Sequence, residues 1–148
     1  MKIVIQRVSS AEVIINTQTK RSIGSGLVVL IGITDTDTEE DVRYLVDKMC
    51  HLRIFEDDEG KMNLSALDVS ADLLLISQFT LYGDASKGRR PSFIKAARPD
   101  FAIPLYEKFI TYSKSFGLNT GTGEFGADMQ VQLVNDGPVT LIVESREK

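Results

Sequence analysis

The chain has a single histidine (His51), a single cysteine (Cys50), four prolines and no tryptophan in 148 residues. Each scarcity removes mechanisms. One cysteine cannot close an intrachain disulfide, so nothing suggests the disulfide framework of a secreted small domain. One histidine cannot build a histidine-rich metal site, and a zinc site from neighbouring Cys50 and His51 alone is not a workable ligand set. A Ser-His-Asp or Cys-His centre would have to use His51. Long apolar runs are also missing. The best, Gly26 to Ile33, is far shorter than a membrane span. The N-terminal stretch Met1 to Arg7 alternates like a strand and has no signal-peptide core. A soluble, cytoplasmic protein without a membrane partner is the expectation.

What is present is enough for one domain spanning 1–148. The composition is 43% hydrophobic and 26% charged, which supports a buried core. Net charge is −4, which argues against a broadly basic nucleic-acid-binding surface but leaves room for a local basic patch.

The pattern along the chain predicts strands at Lys2–Val8 and Glu12–Asn16, separated by Ser9-Ser10, and a strand buried on both faces at Leu27–Ile33. A helix follows. Thr38 is the candidate N-cap with Asp41 at the capping-box position, and Val42, Leu45, Val46 and Met49 make its buried stripe. A short hairpin is expected around the polar turn Glu56–Gly60. Asp72–Tyr82 reads as a strand that turns polar at its end. Ser92–Ala97 and Asp100–Ser115 read as helices broken by Pro99, the second burying Ile103, Leu105 or Tyr106, Phe109 and Ile110. Gly117–Gly126 reads as irregular. Two final strands, Asp128–Val134 and Val139–Glu144, are expected to be joined by a turn at Asn135-Asp136-Gly137-Pro138. Two main helices against mostly antiparallel sheet layers is an α+β plan.

Three segments could carry chemistry. On a strand, Gln78 and Thr80 would share one face and Ser77, Phe79 and Leu81 the other; on composition alone a plain strand end is preferred. Asn135 to Thr140 is, by the same standard, a hairpin turn, with Gly137-Pro138 a candidate for a cis bond. Lys87, Arg89, Arg90, Lys95 and Arg98 lie together with no acid among them. They could neutralise RNA phosphates or form a solvated loop, with equal weight. His51 fits a helix C-terminal partner better than a base, and Cys50 fits a small core residue.

At these segments the sequence resembles the D-aminoacyl-tRNA deacylase family, formerly typed on D-tyrosyl-tRNA. The matching stretches are Met1 to Val8, Ser77-Gln78-Phe79-Thr80-Leu81, Gly88 to Phe93 and Asn135-Asp136-Gly137-Pro138-Val139-Thr140. The resemblance runs end to end. It implies a cofactor-independent, metal-free carboxylic ester hydrolase acting on D-aminoacyl-tRNA and on glycyl-tRNA. It implies a homodimer in which Gly137-Pro138 of one subunit enters the other's pocket and rejects L-residues by steric clash of their side chains with main-chain groups. Ser77, Gln78, Phe79 and Thr80 then form the catalytic segment, with backbone N–H groups around Gln78 and Phe79 as oxyanion donors. Arg7 and Asn135 support the Gly137-Pro138 pair, Arg7 by donating to its carbonyls. Phe79, Phe125 and, more weakly, Met129 are candidates to wall in the terminal adenine; for Phe125 core packing has equal weight. Lys87, Arg89, Arg90 and Lys95 are candidates for tRNA phosphates. Either the Thr80 hydroxyl is a covalent nucleophile, or the RNA's ribose 2′-hydroxyl helps activate water; the shortage of bases favours the second. The rivals are a non-catalytic nucleic-acid-binding accessory protein on the same fold and a small-molecule esterase using Thr80.

Overall fold

The first strand sets the plan of the molecule because every large element pairs with it or packs on its sheet. In the computed structural model, which describes residues 1–145, β1 is one continuous strand, Lys2–Ile15. β2 (Thr19–Ile23) and β3 (Gly26–Gly32) follow. Then come helix α1 (Glu39–His51), the short hairpin β4 (Phe55–Glu56) and β5 (Met62–Leu64), the single turn α2 (Ala66–Val69) and β6 (Asp72–Ser77). A 3-10 turn at Phe79–Tyr82 leads into the basic loop and helix α3 (Pro99–Ser115). The chain ends in β7 (Thr120–Thr122) and β8 (Met129–Glu144).

Both β2 and β3 lie antiparallel on one side of β1, and β8 lies antiparallel along the whole of its other side. The sheet continues from β3 through β6 to β7 in parallel. The expected α+β plan holds, with this parallel corner added to a mostly antiparallel sheet. One face carries Ile3, Ile5, Leu27, Val29, Ile31, Leu73 and Leu75 and is covered by α1 and α3. The other face, with Val28, Leu74 and Ile76, is closed by β1's own second half: Val8, Ala11, Val13 and Ile15.

Strand periodicity explains how one strand serves both cores. Ile3 and Ile5 face the helices, and strict alternation would send Ala11, Val13 and Ile15 the same way. Instead β1 is irregular between Val8 and Ser10, where its register with β8 shifts. An irregularity of this kind re-aims the residues after it. Ser9-Ser10 therefore marks a bend inside one strand, not the gap between two.

The caps of α1 are as the sequence predicts: the Asp41 carboxylate accepts from the Thr38 N–H at 2.7 Å. Helix α3 differs. Pro99 does not break a helix but occupies its first position, where its missing N–H costs nothing. Ser92–Ala97 is not helical, being tied down by loop contacts instead. The buried stripe of α3 is Ala102, Leu105, Tyr106, Phe109 and Ser113, with Ile103 and Ile110 only half-buried. β2, α2 and β7 are additions to the sequence reading. No helix among the described residues is long and apolar enough to cross a membrane.

Candidate active site

Strand β6 stops at Ser77, and the next residues do not alternate as a strand would. Gln78 N–H donates to Ile31 O at 2.7 Å, the last tie to β3. Phe79 to Tyr82 then wind into the 3-10 turn, with Leu81 N–H on Gln78 O and Gly83 N–H on Thr80 O. A helical turn leaves its first N–H groups without internal acceptors. Among the described residues, the Phe79 and Thr80 amides donate to no protein group. Of the amides around Gln78 and Phe79 expected as oxyanion donors, that of Gln78 is already engaged, whereas those of Phe79 and Thr80 are open.

Beside this turn lies a cleft of about 300 Å³ lined by Ile76, Ser77, Gln78, Phe79, Phe125 and Met129, with Gly126 to Asp128 and Val131 completing the rim. The fold brings these sequence-predicted residues together because β6 and the start of β8 both close the second core. Phe79 is 53% exposed at the mouth. Phe125 is half-buried and tilted against Tyr106 at 5.9 Å, so it serves core and cleft together. Thr80 does not line the cleft; its Oγ1 accepts from Gln78 Nε2 at 2.5 Å. A larger groove of about 430 Å³ between Glu12, Ser22 and Gln132 gathers none of the predicted site residues.

The other predicted segment is not a hairpin. β8 runs straight through it. Between the pairs Val8–Asn135 and Gln6–Thr140, β1 advances two residues and β8 five, so three residues protrude. Gly137 and Pro138 are exposed within this projection, and the bond between them is cis. Gly137 has φ +117°, and a Cβ there would lie 2.9 Å from the Val139 side chain and 3.0 Å from Arg7 Nη2, so glycine is required at this position.

The base of the projection is pinned from both sides. Asn135 Nδ2 donates to Arg7 O at 2.9 Å and to Val139 O at 3.0 Å, and its Oδ1 accepts from Thr140 at 3.3 Å. Arg7 is 4% exposed. Its Nη1 donates to Ile54 O at 2.7 Å, and its charge faces Asp136 at 3.3 Å and Glu56 at 3.8 Å. Arg7 therefore lies beside Gly137 but donates to Ile54, and no bond to the Gly137-Pro138 carbonyls of the kind expected is present among the described residues. Asp136 and Glu56 are partners that the sequence reading misses. The available signal is Arg7 itself: it follows Ile3 and Ile5 on an inward face, and a buried guanidinium requires carboxylate partners.

The remaining candidates sort cleanly. Lys87, Arg89, Arg90, Lys95 and Arg98 are all exposed, and among the described residues none is paired with a carboxylate. Burial pushes the Cys50 thiol up to about 12, so it stays protonated at neutral pH and is no nucleophile. The His51 ring bonds Asp47 O at 2.8 Å at the end of α1, away from the cleft. Among the described residues no group of three or more His, Cys, Asp or Glu could hold a metal ion.

This geometry can be set beside known proteins. The family model described as D-Tyr-tRNA(Tyr) deacylase matches residues 4–144. The D-aminoacyl-tRNA deacylase of Geobacillus sp. (strain WCH70) is 55% identical over the whole chain and 97% of its own length. That of Halalkalibacterium halodurans is 58% identical over 99% of this chain and all of its own. A solved structure titled c-Myc DNA Unwinding Element Binding Protein superposes with a TM-score of 0.92 at 38% identity, covering 99% of this chain and 100% of that one.

Proposed function

Because the chain belongs to the D-Tyr-tRNA(Tyr) deacylase family and hydrolyses D-aminoacyl-tRNA, we propose that it does so as a homodimer whose two sites each combine one subunit's cleft with the other's projection. The observation that carries this reading is a distance along the sheet. Met129 at the cleft pairs with Ile15, whereas Asn135 at the base of the projection pairs with Val8. From Ile15 to Val8 the strand climbs roughly 23 Å at about 3.3 Å per residue. Ser77 on the cleft's other wall is separated from β8 by β3 and β1, roughly 14 Å at about 4.8 Å per strand, so both walls stand apart from the subunit's own Gly137-Pro138, and a twofold partner is the simplest way to unite them. The outer edge of β8, unpaired with any strand among the described residues, carries exposed Val131, Val134 and Ile142, the surface such a partner would cover.

In the assembled site the main-chain carbonyls of Gly137-Pro138 face the α-ammonium side of the aminoacyl group. An L-residue would drive its side chain into that wall, while a D-residue points away and glycine has nothing to clash. Activity on glycine attached to tRNA follows from the same geometry. The terminal adenine lies between Phe79, Phe125 and Met129. The ester carbonyl faces the Phe79 and Thr80 amides, which stabilise the tetrahedral oxyanion. The one carboxylate lining the cleft, Asp128, is at its exposed rim, so the ribose 2′-hydroxyl beside the ester assists the attacking water. The exposed cations from Lys87 to Lys95 take phosphates of the acceptor end. This chemistry belongs where aminoacyl-tRNA is made, in the cytoplasm, and needs no cofactor.

Subunit mixing tests the composite site. Ser77→Trp fills the cleft, and Gly137→Val spoils the projection. Each variant alone should be nearly inactive on D-aminoacyl-tRNA. After denaturation and co-refolding, half the dimers are mixed, each with one native site in two, so about a quarter of wild-type activity should return. No recovery, with mixed dimers demonstrated, would show that each chain builds its site alone.

A further inference from the structure

The loop after the 3-10 turn holds exposed apolar surface that neither core explains. Phe93 is 39% exposed and Ile94 87% exposed. Their backbone is nonetheless firmly placed. Asp84 and Ser92 exchange two hydrogen bonds of 2.8 Å each, closing the basic loop at its neck. Ala96 N–H donates to Phe93 O at 3.0 Å, Ala97 N–H to Ile33 O at 2.9 Å, and the Thr34 hydroxyl to Lys95 O at 2.5 Å. The Phe93 ring lies against Gly83, where a Cβ would come within 2.9 Å of it, so the glycine lets the ring settle onto the turn. There it meets Phe79 edge to face, with centroids 5.3 Å apart and planes at 71°.

A rigid, half-exposed aromatic ring among unpaired cations has the chemistry of a single-stranded nucleic-acid platform. The ring offers a π-face, and the cations neutralise the phosphates on either side. Two rings set nearly perpendicular cannot serve one continuous base stack. They suit two neighbouring bases splayed apart. Resting on the assignment of Phe79 to the terminal adenine, we propose that Phe93 is the stacking platform for the unpaired nucleotide immediately 5′ of that adenosine. Ile94 borders the same surface, and Arg89, Arg90 and Lys95 flank the backbone there. The site thus reads two nucleotides of the tRNA end by shape, with no base-edge hydrogen bonds required.

A cycle of enzyme and substrate changes tests this. Phe93→Leu keeps apolar packing against Gly83 and Phe79 but removes the ring, and Phe93→Trp enlarges it. The substrates are D-aminoacyl-tRNA intact and with an abasic penultimate position. Phe93→Leu should raise KM on intact substrate roughly five- to hundredfold with kcat unchanged. Wild type should lose a similar factor on the abasic substrate, and Phe93→Leu should lose almost nothing further, because the two changes remove one interaction. Phe93→Trp should match or exceed wild type on intact substrate. Additive losses, a fall in kcat, or an unchanged KM would each overturn the proposal. D- and L-aminoacyl-tRNA run in parallel with wild type keep the two questions apart: turnover of D over L with an unresponsive Phe93 sinks the platform alone, whereas loss of D preference sinks the reading of the site beneath it.

Discussion

The projection on β8 and the cleft beyond β6 both depart from regular strand geometry, yet they are held by opposite means. The projection is fixed by side chains: a buried guanidinium between Asp136 and Glu56, and an asparagine bonded to the backbone on both sides. The cleft is fixed by main chain. The open amides of Phe79, on its lining, and of Thr80, next in the turn, follow from the switch of β6 into a 3-10 turn, and among the described residues the one charged side chain on the lining is Asp128 at the exposed rim. A surface that must exclude one enantiomer has to resist displacement, so it needs rigid support. A site that only steadies a developing oxyanion needs dipoles in place, which backbone amides supply without a titrating group. The two halves should therefore respond differently to substitution.

The sharpest break comes at Gly137. Gly137→Ala places a methyl against Val139 and the Arg7 guanidinium at a φ that L-residues rarely adopt, which strains the backbone by roughly 1–3 kcal/mol. Relief requires the projection to move. A shift of about 1 Å costs on the order of hundredfold in rate when it misplaces a reacting group, and kcat/KM on D-aminoacyl-tRNA should fall by about that factor or more, with the fold retained by circular dichroism. The cleft side is probed through the substrate. With the 2′-hydroxyl and not a protein side chain assisting the water, aminoacyl-tRNA ending in 2′-deoxyadenosine should react about hundredfold more slowly, the lower range of general-base catalysis. An equal rate on the deoxy substrate would pass the role of base to Asp128, the one carboxylate that lines the cleft.

The same contrast explains what can be read from the amino-acid order. Strand and helix positions with strict periodicity are legible: Ile3 and Ile5, Leu27 to Ile31, and Val42 to Met49 behind the Thr38–Asp41 box all sit where the pattern puts them. Thr19–Ile23 forms a strand without apolar alternation because it borrows its register from Ala11–Ile15. Thr120–Thr122 pairs with Leu73–Leu75, which Gly/Thr-rich composition conceals. The two chemically interesting segments mislead for one reason. Ser77 to Thr80 and Asn135 to Pro138 read as the nearest regular geometry, strand and hairpin, whereas long-range partners decide both. Ile31 takes the Gln78 amide and ends the strand, and β1 holds β8 on both sides of Asn135-Asp136-Gly137-Pro138, so the chain bulges instead of reversing. Motif identity picks out the two segments; only tertiary contacts give their shape.

A smaller effect separates the two faces of the projection. Arg7→Ala removes the charge between Asp136 and Glu56 and leaves Ile54 O without its donor. Both carboxylates are more than half exposed and can hydrate, so the stability cost is that of an unmet buried acceptor, about 2 kcal/mol, readable in a urea titration. The functional mark is the D/L ratio. It should fall about tenfold as the unpinned projection admits L-aminoacyl groups, with D-turnover less affected. An unchanged ratio would detach Arg7 from chiral rejection. Weaker again, neutralising Arg89 and Arg90 should flatten the dependence of log K on log salt by about 0.7 for each phosphate left without its cation, as for single strands. A slope that does not move takes these residues out of tRNA binding.

The least effect is expected at the residue whose hydroxyl most resembles a nucleophile. Thr80 lies off the cleft lining, and its Oγ1 accepts a hydrogen bond from Gln78. In the proposed site Thr80 contributes its backbone N–H, which every substitution except proline retains. Thr80→Ala should thus reduce kcat by less than about tenfold, through loss of a hydrogen bond worth about 1 kcal/mol to the placement of Gln78. Thr80→Pro, which deletes the amide, should cost far more, in the range of roughly 10²–10³ for a lost oxyanion donor. If the alanine variant proves as inactive as the proline one with tRNA binding intact, the hydroxyl is the attacking group and the main-chain account of the cleft fails.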